Sequence, residues 1–181
     1  MAVIVRATRR VYPGMLPPPR RAAPGPGQES AWDYPRPPIV RPTDRHVRIR
    51  HGSETVAESR GALRVLETAG APAWYLPRAD VRMDLLRPTP GRGSVCEWKG
   101  SATYFDLVVG DRVSRRAAWT YERPLPGFEA LAGRIAFYAG RVDEATVDGE
   151  VVRPQPGGFY GGWVTDDVVG PFKGEPGTQG W

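Results

Sequence analysis

The chemistry this chain could carry starts with two lysines and one cysteine. Of its 25 basic residues only Lys99 and Lys173 are lysine, and each precedes a glycine, in Trp98-Lys99-Gly100 and Phe172-Lys173-Gly174. A bacterial-type lineage bias toward arginine accounts for the other 23 but not for the two it spares. Lysine, unlike arginine, is a compact charge that can shed its proton when buried, so it can act as base, acid or imine-forming amine. A surface lysine is the plain alternative at each position. Cys96, the single cysteine, stands three residues before Lys99, close enough for an ammonium to depress the thiol pKa if both share a face. Otherwise a lone Cys in a strand is a small buried hydrophobe, and no histidine lies near in sequence to serve as its base. Cys96, Lys99, the neighbouring Tyr104 and the carboxylate of Glu67 are the candidate catalytic residues, with Glu67 or Asp106 as the candidate partner of Lys99.

Six Trp, seven Tyr and five Phe with 22 Gly and 20 Pro describe short strands, tight turns and aromatic packing. The expected fold is mainly β, a small antiparallel two-sheet domain with one or two short helices. His46 to Arg50 alternates and turns at Gly52-Ser53 into Glu54 to Glu58, a hairpin. Arg60 to Thr68 places Ala62, Leu63 and Leu66 at helical spacing before Gly70 and Pro72, which predicts a helix. Trp74 to Leu76 reads as a strand. Val81 to Leu86 reads as a further extended segment. Val95 to Glu97 and Ala102 to Val109 flank the turn at Trp98 to Ser101, and Arg112 to Tyr121 completes a three-strand meander. Phe128 to Ala132 suits a short helix, and Asp148-Gly149 between Val147 and Val151 is a two-residue hairpin signal. Alternation in 102–109 sets Tyr104 and Asp106 on one face and Phe105, Leu107 and Val109 on the core face.

At 181 residues the chain suits one domain with arms. The divisions read from composition are a disordered Pro/Arg leader at 1–30, an extended arm at 31–45, a β domain at 46–153, and a Gly/aromatic tail at 154–181 that wraps the domain. Residues 1–45 hold eight arginines against Glu29, Asp33 and Asp44, leaving 17 basic and 17 acidic residues in the rest of the chain. A formally neutral body lacks the net drive that phosphate-backbone binding requires, which argues against nucleic acid. One cysteine permits no internal disulfide and no Cys-based zinc cluster, and the His46-x4-His51 spacing lies across a strand and turn where the two rings need not converge, so no metal is expected. No run approaches a membrane span, and the opening Met1 to Val5 run is too short for a signal-peptide core. A cytoplasmic location and no membrane partner are the defaults.

A set of motifs in order brings a family into view. Arg64-Val65-Leu66-Glu67-Thr68, Trp74 to Val81, Cys96-Glu97-Trp98-Lys99-Gly100 with Tyr104, Ala118-Trp119-Thr120-Tyr121-Glu122 and Ala136-Phe137-Tyr138 together resemble the domain of unknown function 427 family over about residues 46–145. The Pro-rich arm and the Gly/aromatic tail resemble flanks of its longer members. The resemblance implies a small β fold of the tent-like kind, two sheets meeting at an angle around an aromatic-lined cleft, and no settled activity. The family has also been labelled nucleotidyltransferase-like. This sequence offers that label no Gly-Ser motif followed by a spaced carboxylate pair for a metal-held triphosphate.

The positions matching the family share a type, aromatic with a few charges. Trp74, Tyr75, Trp98, Trp119, Tyr121 and Tyr138, with Arg82, form a candidate ligand-binding set, because aromatic walls and convergent charges stack and orient a small organic molecule. Each aromatic taken singly is equally at home in a core. The expected function is a small-molecule site on the face of Lys99, Tyr104 and Trp119, either a binding protein or a cofactor-free enzyme acting by acid/base or lysine chemistry. The alternative is an interaction or scaffold protein whose arm and tail hold a partner or form a homodimer.

Overall fold

The computed structural model describes Pro17, residues 19–178 and residues 180–181. The first strands are β1 (Glu29–Ser30), β2 (Ile39–Pro42), β3 (Val47–His51), β4 (Glu54–Ser59), β5 (Leu63–Leu66) and β6 (Ala73–Leu76). The middle of the chain gives β7 (Leu86–Pro88), β8 (Ser94–Cys96), β9 (Gly100–Val109), β10 (Arg112–Thr120) and β11 (Ile135–Phe137). The last are β12 (Glu144–Val147), β13 (Glu150–Val151), β14 (Arg153–Pro154), β15 (Trp163–Val164) and β16 (Val168–Val169). The fold is mainly β and antiparallel. Its helical content among the described residues is four three-residue 3-10 turns, at Arg78–Asp80, Met83–Leu85, Glu129–Leu131 and Ala139–Arg141. Among those residues no helix is long and apolar enough to cross a membrane.

A large sheet runs β2-β5-β6-β11-β10-β9-β7 with β8 added beside β9, and a smaller one runs β13-β12-β3-β4. Strand alternation supplies the core between them. Trp74 and Leu76 of β6, Phe105 and Leu107 of β9, and Ile135 and Phe137 of β11 meet Val47, Ile49, Val56 and Val147 of the smaller sheet. Phe105 lies in this core, on the face that alternation assigns to it.

The Asp148-Gly149 signal is realised as a two-residue turn. Val147 pairs with Glu150 across it, and both turn residues sit at positive φ, 51° and 86°, as a primed hairpin requires. The helix predicted over Arg60 to Thr68 is instead a strand. Leu63 to Leu66 pairs with β2 on one side and β6 on the other, burying Leu63, Val65 and Leu66. Apolar residues at spacings of one, two and three are shared by a short helix and by a strand buried on both faces, and β-branched Val65 with two waiting edges decides for the strand. The segment expected to extend over Val81 to Leu86 is broken by the Met83–Leu85 turn before β7.

The first sixteen residues of the predicted disordered leader, and Pro18, lie outside the described residues. The end of that stretch is ordered. Glu29 and Ser30 pair in parallel with Val168 and Val169, and Ala22 N–H donates to the Gly170 carbonyl. Tyr34 Oη donates to Glu29 at 2.6 Å, and Arg64 holds the same carboxylate with two nitrogens at 3.0 and 2.9 Å. The tail packs on the body through Trp163, which stacks on Trp74 at 6.1 Å and donates its indole N–H to the Phe137 carbonyl.

Candidate functional site

The second face of the large sheet is where the charged and hydroxylated residues collect. Tyr75 of β6, Trp119 of β10 and Ala136 of β11 alternate with core residues and point away from the core. Trp119 lies opposite Tyr104 of β9, and Trp119 Nε1 donates to Tyr75 Oη at 3.1 Å. Tyr138, just beyond β11, meets Trp119 at a centroid distance of 4.6 Å. Burial pushes the phenols of Tyr75, Tyr121 and Tyr138 above their ordinary value, and the neighbouring Tyr104 adds to the effect at Tyr138.

The β8–β9 hairpin closes one side. Cys96 pairs with Gly100, so Glu97, Trp98 and Lys99 form a three-residue loop, and Gly100 takes φ of 93° to complete it. The loop folds over the aromatic face and is pinned from outside by Leu125 N–H donating to the Lys99 carbonyl. Ser94 Oγ and Tyr104 Oη share a 2.7 Å hydrogen bond, and the Arg116 guanidinium lies 3.7 Å from the Tyr104 ring centre. Arg116 reaches this place from a bulge in β10, at φ of 50°, with its backbone N–H bonded to Asp106.

The tail closes the opposite side. Gln155, buried, accepts from Ala71 N–H at 2.9 Å and donates to the Lys173 carbonyl at 2.8 Å. Lys173 N–H donates to the Ala69 carbonyl, which sets its side chain beside Glu67, and Lys173 Nζ pairs with the Glu67 carboxylate. Burial lowers the Lys173 pKa, the Glu67 charge works to raise it, and the charge of Lys99 is felt at the same amine. Gly161 and Gly162 are there because nothing larger fits. A Cβ on Gly161 would stand 2.1 Å from Trp119 Cη2, and one on Gly162 2.2 Å from Gln155 Oε1.

Hairpin, sheet face and tail enclose one cavity of about 220 Å³. Lys99 and Lys173 both line it, 8 % and 3 % exposed. Glu67, Cys96, Trp98, Tyr104, Trp119, Tyr121 and Tyr138 line it too. Its mouth is marked by Val95 and Phe159, 80 % and 71 % exposed, and by exposed Glu97. Among the described residues the Lys99 side chain makes no hydrogen bond and no ion pair. Buried Trp98 Nε1 finds no partner either. No histidine lines the cavity, so Cys96 faces it as a free thiol without an imidazole base.

A family model described as Domain of unknown function (DUF427) matches residues 39–148, more than half of the chain. The chain belongs to this family. No curated protein matches it.

Within the DUF427 region three sequence candidates stand apart from the cavity. Trp74 is on the core face of β6. Tyr75, on the other face, supports Trp119 from behind and does not reach the cavity. Arg82 is exposed and bound to Asp84 at 2.7 Å and Glu54 at 3.2 Å. The expected partnering of Lys99 by Glu67 or Asp106 is overturned. Glu67 is taken by Lys173, and Asp106, only 3 % exposed, accepts from Thr89 Oγ1 at 2.6 Å, Arg116 N–H at 2.8 Å and Arg115 at 2.5 Å. Burial opposes the Asp106 charge, yet these donors hold its pKa below the ordinary carboxylate value. The wall of Gln155, Tyr160, Gly161, Gly162 and Lys173 lies beyond the DUF427 match. Its signs in the sequence are the Gly/aromatic composition of a tail expected to wrap the domain and the exemption from arginine that Lys173 shares with Lys99.

Proposed function

We propose that this DUF427 protein binds a small organic molecule in the cavity between hairpin and tail, with Lys99 as the group that meets the ligand's reactive or charged atom. One observation carries the reading. A chain that uses arginine for all but two of its basic residues sets both exceptions in the wall of one cavity, and one of them, Lys99, has no ion pair among the described residues. A lysine whose stem is buried and whose amine opens into a cavity without a partner is placed to meet a ligand.

The chemistry open to such a site is proton transfer or amine chemistry without a cofactor. Lys99 as ammonium can donate a proton to a ligand oxygen, and as free amine can attack a carbonyl carbon. Tyr104 and Tyr138 add phenol hydroxyls to the same wall. The scaffold alternative is weakened by where the tail sits, since residues it would use to hold a partner are cavity wall.

The test is a fragment screen by ligand-observed NMR on the wild-type chain and on Lys99→Ala. The reading expects fragments that bind the wild type and lose affinity by about ten-fold or more in the variant, the worth of one charge-assisted contact. Unchanged binding and turnover in Lys99→Ala would sink it.

A further inference from the structure

Resting on the small-molecule reading above, we infer that the cavity is built for a planar aromatic monocarboxylate, its ring against Trp119 and Tyr138 and its carboxylate on Lys99. Size sets the first limit. An apolar cavity of about 150 Å³ holds one benzene molecule, whereas drug-sized ligands occupy about 300 Å³ or more. At about 220 Å³ this cavity takes one substituted ring. The lining sets the shape, because Trp119 and Tyr138 meet at 4.6 Å and a tilt of 50°, presenting aromatic surface on which a flat ring can lie.

Charge sets the third limit. Lys173 is paired with Glu67 inside the cavity, so among the described residues Lys99 is the lining cation with no carboxylate at ion-pair distance, Glu97 standing exposed at the mouth. Unused hydrogen-bonding capacity points the same way. The Lys99 side chain lines the cavity and has no acceptor among the described residues, whereas the Trp98 indole N–H, in the same loop between β8 and β9, is sealed within the packing. A ligand that supplies an acceptor and a single negative charge satisfies Lys99. A cation would meet the unpaired charge of Lys99. A dianion would bring one charge more than Lys99 can neutralise, toward the carboxylates of Glu67 and Glu97.

Titration calorimetry of the full chain with four ligands of one ring each separates the cases: benzoate, phenyl phosphate, benzamide and benzylamine. Benzoate is expected to bind about ten-fold or more tighter than benzamide, with phenyl phosphate weaker than benzoate and benzylamine without measurable binding. Lys99→Met should bring benzoate down to the level of benzamide while leaving benzamide unchanged. Benzamide or benzylamine binding as well as benzoate would overturn the carboxylate assignment and leave the pocket reading standing. Phenyl phosphate binding tightest would replace the carboxylate by a phosphate ester. No binding by any of the four, with the tryptophan fluorescence of the wild type unmoved, would overturn both the assignment and the pocket.

Discussion

The two faces of the large sheet are built from the same strands and do different work. On one, Trp74, Leu76, Phe105, Leu107 and Phe137 fill a core closed by the smaller sheet. On the other, one residue along in each strand, Tyr75, Tyr104 and Trp119 carry hydroxyls and an indole N–H, and the layer covering them is irregular chain. A regular sheet as cover would have demanded complementary apolar side chains. A hairpin loop and a Gly-rich tail leave a gap and can set two lysines into it. The difference teaches that stability is concentrated on the first face, and that the second gives up some packing for polar groups.

That contrast can be broken at several places. Leu107→Ala, at a fully buried core position, should cost about 3–4 kcal/mol by urea denaturation, with benzoate affinity nearly unchanged while the chain stays folded. Asp106→Ala strands the Thr89 hydroxyl and the Arg116 N–H, and should cost about 2–4 kcal/mol. It should also weaken benzoate binding, because Arg116 no longer braces Tyr104. The sign of its pH dependence follows from a lowered folded pKa. The Asp106 contribution is present above the ordinary carboxylate value of 3.8 and is lost as pH falls through the lowered one. Acid denaturation curves should therefore be flatter below pH ~4 in Asp106→Ala than in the wild type.

Gly161→Ala drives a methyl group into Trp119 and should cost about 1–3 kcal/mol, with loss of benzoate binding out of proportion to the destabilisation. The smallest effect concerns alkali. Tyr75, Tyr121 and Tyr138 have folded pKa values raised by burial above the ordinary 10.0. Their contribution is complete below that value and fades as pH rises past it toward the raised ones. The urea midpoint should fall between pH ~9 and ~11, and Tyr138→Phe should fall less, with phenolate absorbance reporting the ionisation.

Much of the first face was legible in the sequence. Period-two alternation in β9 and the Asp148-Gly149 turn are local signals, and local contacts realise them. The strand at Leu63 to Leu66 carries the spacing of a helix because its partners, β2 and β6, exert their influence through pairing that periodicity does not record. For the second face, Cys96, Lys99 and Tyr104 could be gathered from one hairpin. The Glu67–Lys173 pair could not, since it joins residues 106 positions apart through an irregular tail held by Gln155. A side chain's partner across such a distance is set by backbone contacts, here Lys173 N–H on Ala69 and Trp163 N–H on Pro72.

The central claim is that Lys99, which has no partner among the described residues, is placed in the cavity wall for a ligand and not for the fold. Chemical denaturation of Lys99→Met beside the wild type, both without ligand and then with benzoate, tests it most directly. Replacing a largely buried lysine with an apolar chain of similar length should leave stability unchanged or raise it by about 1 kcal/mol, and benzoate should stabilise the wild type alone. A Lys99→Met protein that is less stable than the wild type, and is stabilised by benzoate just as much, would contradict the account.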